Sequence, residues 1–171
     1  MALDFTVVTA VRQRFGESNV IDDAWNIGLE ADAPFVGLEK IFEFDCPDVN
    51  PGESAILLFE SQGVDVRQTL EINGQQVFGG LPFTPLSAPL TASARGWAAW
   101  TGNVMLINPG MLQSQANVLR IASTATLLPL DDGGRIDSFV VDNMVVVFKT
   151  VGSRSIAPPR SRQKKTRRTK R

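Results

Sequence analysis

Histidine and tyrosine are both missing from the 171 residues, and cysteine occurs once, at Cys46. Without imidazole, the usual general acid–base group is gone and histidine metal sites are excluded. A single cysteine forbids an intrachain disulfide, and nothing in its use marks an oxidising compartment. Cys46 alternates with Phe42 and Phe44, so it reads as a small core hydrophobe rather than a reactive thiol. No apolar run approaches the roughly 20 residues of a membrane-spanning helix. Residues Met1 to Val11 lack a cationic leader and carry Asp4 inside their apolar stretch, which suits a first strand better than a signal peptide. The expectation is a soluble chain made in the cytoplasm. Amphipathic helical periodicity and internal repeats are lacking too, and the length suits one domain with a buried core.

What is there alternates with a period of two. In Arg67 to Val77, Leu70 and Ile72 point one way while Thr69 and Glu71 point the other, and Asn73-Gly74 suits the positive φ angles of a type I′ turn. Those are the marks of a β-hairpin. Residues 3–15 read as a strand ending in the turn chemistry of Gly16-Glu17-Ser18-Asn19. Val20 to Pro34 reads as a loop anchored by Trp25. Phe35 to Cys46 reads as one half-exposed strand, with Phe42, Phe44 and Cys46 on one face and Glu43 and Asp45 on the other. Ala55 to Phe59 is apolar on both faces, which assigns it to the middle of a sheet. The Pro- and Gly-rich stretch from Gly79 to Leu90 cannot sustain a ladder and reads as a long surface loop. Trp97 to Ile107 gives a short edge strand broken at Gly102-Asn103 and then Val104 to Ile107, before a turn at Asn108-Pro109-Gly110. Asn117 to Ile121 alternates again, with Arg120 outward. Leu130 to Arg135 is a loop, and Ser138 to Thr150 closes the domain, with Asp142-Asn143 marking a bulge. About eight short strands and no helix predict an all-β, single-domain β-sandwich or jelly roll over residues 1–151.

The near-neutral net charge conceals a division. Eight Lys and Arg against all eighteen carboxylates leave residues 1–151 at −10, while the nine cations of residues 152–171 stand alone. Such a segment buries too little apolar surface to offset its ordering entropy, so 152–171 is expected to be a disordered tail. Arg160, Arg162, Lys164, Lys165, Arg167, Arg168, Lys170 and Arg171 suit polyanion contact, with nucleic acid as one partner, through counterion release. A solubilising tail, contact with the acidic body of a neighbouring copy, and nuclear targeting are the other readings of the same composition.

Three stretches resemble the galactose-binding-like jelly roll, the fold of β-glycosidase sugar-binding domains and many carbohydrate-binding modules. They are Ile56-Leu57-Leu58-Phe59 leading to Gly63-Val64-Asp65; Leu70 to Val77, similar to that fold's NG hairpin; and Leu112 with Asn117-Val118-Leu119-Arg120-Ile121. Residues Asp137 to Val146 also look like the closing strand of such modules. Ser114-Gln115-Ala116 stands where the pattern has glycine before the asparagine. The resemblance covers about residues 40–150 and implies a binding module, although a fold hosts many functions.

Sugar-binding sandwiches stack aromatic rings on pyranose faces, so Phe78, Phe83, Arg95, Trp97 and Trp100, in or beside the long loop, are the candidate ligand-binding residues. The plainer reading is that Trp97 and Trp100 cover the end of the core. Asp131, Asp132 and Asp137 could offer oxygen ligands to calcium, although their spacing does not match an EF-hand loop and a plain solvated turn is the preferred reading; otherwise no cofactor is expected. Glu43, Asp45, Glu60 and Glu71 are strand carboxylates with no sign of glycosidase pairing, and no nucleophile has a histidine base, so no enzyme is expected. Two functions follow as expectations. One is a non-catalytic recognition module for glycan or a protein surface. The other is a structural subunit of a viral capsid or phage-like particle, a homo-oligomer whose basic arm contacts nucleic acid in a virion.

Overall fold

The computed structural model describes residues 2–16, 33–64, 67–77, 79–82, 100–123 and 138–152, and the fold and everything below are stated for these. Among them there is no helix, and ten strands form two packed sheets. The larger sheet contains β1 (Ala2–Thr9), β2 (Gln13–Phe15), β3 (Phe35–Gly37), β5 (Ala55–Gln62), β8 (Thr101–Ile107) and β10 (Phe139–Thr150). The smaller contains β4 (Glu39–Phe44), β6 (Thr69–Ile72), β7 (Gln75–Gln76) and β9 (Asn117–Ala122), in the order β4-β9-β6-β7. The all-β sandwich expected from alternation is therefore what the chain forms, with ten strands rather than eight.

Alternation explains the core. The inward positions of the small sheet (Phe42, Phe44, Leu70, Ile72, Leu119, Ile121) meet those of the large sheet, among them Leu57, Phe59, Val141, Met144, Val146 and Phe148, in one buried cluster. At its end Phe15 and Phe139 stack with ring centroids 4.9 Å apart. Both residues of the Asn73-Gly74 turn have positive φ (51° and 74°), which only such a dipeptide adopts at little cost, and this pins Ile72 opposite Gln75. Cys46 is buried, and burial pushes its thiol up to about 11, so it stays protonated.

The large sheet is organised by β10. On one side it pairs β5; on the other, β1 pairs its second half and β2 its first. The ladder to β5 slips between Asp142 and Val145, with Asn143 at φ 51°, so the polar pair is the bulge that its composition predicts.

Three segments fold differently from their expected form. Residues 3–15 are two strands, because the Thr9 hydroxyl bonds both backbone groups of Val11 (3.1 Å each) and jogs the chain before it resumes on β10. Phe35 to Cys46 is split between sheets: Gly37 at φ 86° turns the chain from β3 in the large sheet to β4 in the small one. Thr101 to Ile107 runs unbroken through Gly102-Asn103, because Asn103 turns inward to donate to Ser61 Oγ at 2.9 Å. The Trp25 anchor, the Gly79–Leu90 loop beyond Pro82, the Leu130–Arg135 loop and the 153–171 tail lie outside the described residues.

Candidate functional site

Of the expected ligand-binding set, Phe78, Phe83, Arg95 and Trp97 lie outside the described residues, as do Asp131, Asp132, Asp137 and the basic positions Arg160 to Arg171. Trp100 is described. It sits half-buried just before β8 and packs against Ala33 and Val140, a small cluster separate from the main core. The Arg12 guanidinium stands 5.0 Å from its ring centroid, and Arg12 Nε donates to Asp142 Oδ2 at 3.0 Å. Beside them Asn143 donates to Glu60 Oε2 at 2.8 Å. A cation thus stands over one face of the Trp100 ring.

The motifs that carry the fold resemblance meet in a polar clamp. Asn117 is fully buried; its Oδ1 accepts from Asn73 Nδ2 (3.0 Å) and from the Gln113 amide (2.9 Å), while its Nδ2 donates to the Gln113 carbonyl (2.6 Å). Asn73 closes the circuit, donating to the Met111 carbonyl at 2.8 Å and accepting from the Val118 amide at 2.8 Å. Before Asn117, Ala116 holds φ 53°, a left-handed backbone that favours glycine. The asparagines of the hairpin and of the Asn-Val-Leu step therefore spend their hydrogen bonds on each other and on backbone. They hold the fold.

The two outward faces differ. On the small sheet the register sets Arg120 across from Ile41 and Glu71, and Arg120 binds Glu71 Oε2 at 3.0 Å and Glu39 Oε2 at 2.7 Å. That hydrogen bond to Arg120 holds the Glu39 carboxyl below its ordinary range. Glu43, Thr69 and Gln76 continue the polar surface.

On the large sheet the register aligns two apolar rows across four strands. Phe5, Val147, Ile56 and Leu106 form one; Val7, Val145, Leu58 and Val104 form the next. Leu3 extends the patch beside Lys149. Leu3 and Val104 are each 73% exposed, and even central Ile56 and Leu58 are 39% and 37% exposed. A shallow hollow of about 300 Å³ between β1 and β10, lined by Leu3, Asp4, Phe5, Val145 and Val147, indents it. The ends are polar: Lys149 Nζ binds Glu53 Oε2 at 2.7 Å at one, and the Glu60–Asn143–Asp142–Arg12 group lies at the other.

Ala55 to Phe59 lies mid-sheet, as its two-sided apolarity implies, and the open apolar face on its outward side is what the sequence reading does not foresee. The available signal was that Leu3-Phe5-Val7 and Val104-Leu106 are apolar on the same side, which only the strand register reveals. Among the described residues no group of three His, Cys, Asp or Glu side chains is placed to share a metal ion. A second hollow, lined by Glu43, Phe44, Asp45, Gln115 and Ala116, holds Asp45 engaged by the Ala116 amide at 2.8 Å. The sequence matches no protein-family model and no curated protein.

Proposed function

We propose that this chain is a non-catalytic structural subunit of an assembly, docking through the outward face of its large sheet, with its basic segment in contact with a polyanion such as nucleic acid. The single observation behind it is the apolar double row spanning β1, β10, β5 and β8. Monomeric proteins seldom leave apolar patches of more than a few hundred Å² in water, and those that exist mark interaction sites. A non-catalytic role is supported by the described carboxylates, several of which are already committed: Glu39 and Glu71 to Arg120, Glu53 to Lys149, Glu60 to Asn143 and Asp142 to Arg12. The reading is tested by size and by salt. Purified chain should sediment as an oligomer and retain a generic oligonucleotide at low salt, with affinity falling steeply as salt rises and vanishing on removal of residues 152–171. A strictly monomeric chain indifferent to polyanions would refute it.

A second reading, glycan recognition, is favoured by the fold resemblance and by the grouping of Trp100 with Arg12, Asp142 and Glu60, an aromatic ring set among hydrogen-bonding groups. Glycan-array binding that disappears in Trp100→Ala, with oligomeric state unchanged, would establish it over the first.

A further inference from the structure

We infer that the occupant of the apolar face is a second copy of this chain, packed sheet on sheet about a two-fold axis that passes between the two rows near Ile56, Leu58, Val145 and Val147. The inference rests on the assembly reading above and names its partner.

Three properties of the face select a copy of itself. The first is charge. A two-fold contact sets the same surface against itself, so a net charge at its centre would be repelled. The two rows contain no ionisable residue, and at the border Lys149 is already neutralised by Glu53 of its own chain at 2.7 Å. The second is shape. β-Sheets stack face to face with interdigitating side chains about 10 Å apart, the mode this chain already uses internally. Exposed Phe5 and Leu3 beside the hollow between β1 and β10 supply projections and a recess on one surface.

The third property is area. Four strands about 4.8 Å apart, and about 14 Å along β1 from Leu3 to Val7, give a patch of roughly 400 Å² with side-chain margins. Two copies would then bury about 800 Å² as an apolar centre. The polar border would supply the remaining half as much again that the lower end of the range of stable interfaces, about 1,200–2,000 Å², requires.

The test uses the full chain. Sedimentation equilibrium should give a dimer that tightens rather than weakens with added salt, since the contact is apolar. Leu58→Lys should raise the dimer dissociation constant ~100-fold or more by burying an unpaired charge, with the melting transition of the dilute monomer retained. Val104→Lys, on a 73% exposed edge-strand position, gives the same readout should Leu58→Lys fail to fold. Ile41→Lys, equally outward but on the small sheet, should leave the dimer intact.

A monomer at ~100 µM whose face binds a hydrophobic dye, lost in Val104→Lys, would overturn the self-partner while leaving a docking face for another protein. Capture on neutral phosphatidylcholine vesicles, abolished by Val104→Lys, would overturn it in favour of lipid. A monomer that binds neither dye nor vesicle would sink this inference, and one that also ignores the oligonucleotide would sink the assembly reading with it.

Discussion

The outward faces of the two sheets are built by the same backbone rule and carry opposite chemistry. On β4, β9 and β6 the outward residues include Glu39, Glu43, Arg120, Glu71 and Thr69, with Arg120 tied to two carboxylates from the strands on either side. On β1, β10, β5 and β8 they are Phe5, Val7, Val145, Val147, Ile56, Leu58, Val104 and Leu106. A free antiparallel sandwich turns polar residues to water on both sides. The small sheet largely obeys, with Ile41, 53% exposed, an exception. The contrast teaches that apolar alternation has two meanings in this chain: inward it makes the core, and outward on one sheet it makes an exposed apolar surface.

The largest effect that could break this contrast lies within a single strand. Leu57 is fully buried and Leu58 points out beside it, so Leu57→Ala should cost about 3 kcal/mol of unfolding free energy. Leu58→Ser, measured dilute enough to exclude association, should cost under about 1 kcal/mol. Denaturant melts giving equal losses would mean that Leu58 is covered by its own chain. Next in size is the clamp between the sheet's turns. Asn117→Ala removes the acceptor of the Gln113 amide and one of the two acceptors of Asn73 Nδ2, and should cost about 2–3 kcal/mol without changing oligomeric state. An unchanged melt would deny the clamp its role.

A smaller change should stabilise. Ala116 holds a left-handed backbone, so Ala116→Gly should gain about 0.5 kcal/mol, the relief of strain exceeding the added freedom of the unfolded chain. A loss in the same melt would show that Ala116 packs usefully.

The smallest effect concerns the polar face. Because Arg120 lowers the Glu39 pKa in the folded state, its contribution is present above the ordinary value of 4.5 and is lost as pH falls through the lowered one. Wild type should therefore lose slightly more stability than Glu39→Gln on titration below pH 4.5, in low salt, with no shift in oligomeric state. Identical acid titrations would make the Arg120 pairs ornamental. A change in oligomeric state instead would move the interface to the small sheet.

Much of the fold was legible in local patterns. Asn73-Gly74 announced its turn because few dipeptides accept two positive φ angles, and Asp142-Asn143 announced the bulge because two polar residues interrupt an apolar strand. Leu119 and Ile121 were placed inward, and Cys46 among core phenylalanines, by period alone. The splitting of Phe35 to Cys46 was hidden, because alternation runs straight across Gly37 while the chain changes sheets there. The site was less legible. Trp100 is legible as an aromatic by the long loop, but Arg12, which stands over its ring, and Asp142, which holds Arg12, are 88 and 42 residues away along the chain by number, and nothing local links them.

Sequence by itself determined that this chain makes strands, which residues of each strand share a side, and that its charge divides between an acidic body and a basic segment. Those are properties of neighbours along the chain, set by the two-residue pleat and by composition. Tertiary structure alone decided which side of each strand faces the core and which strands lie next to each other. Leu3, Ile56, Val104 and Val145 are scattered through the sequence, and only the ladder register of β1, β10, β5 and β8 collects them into one uncovered face.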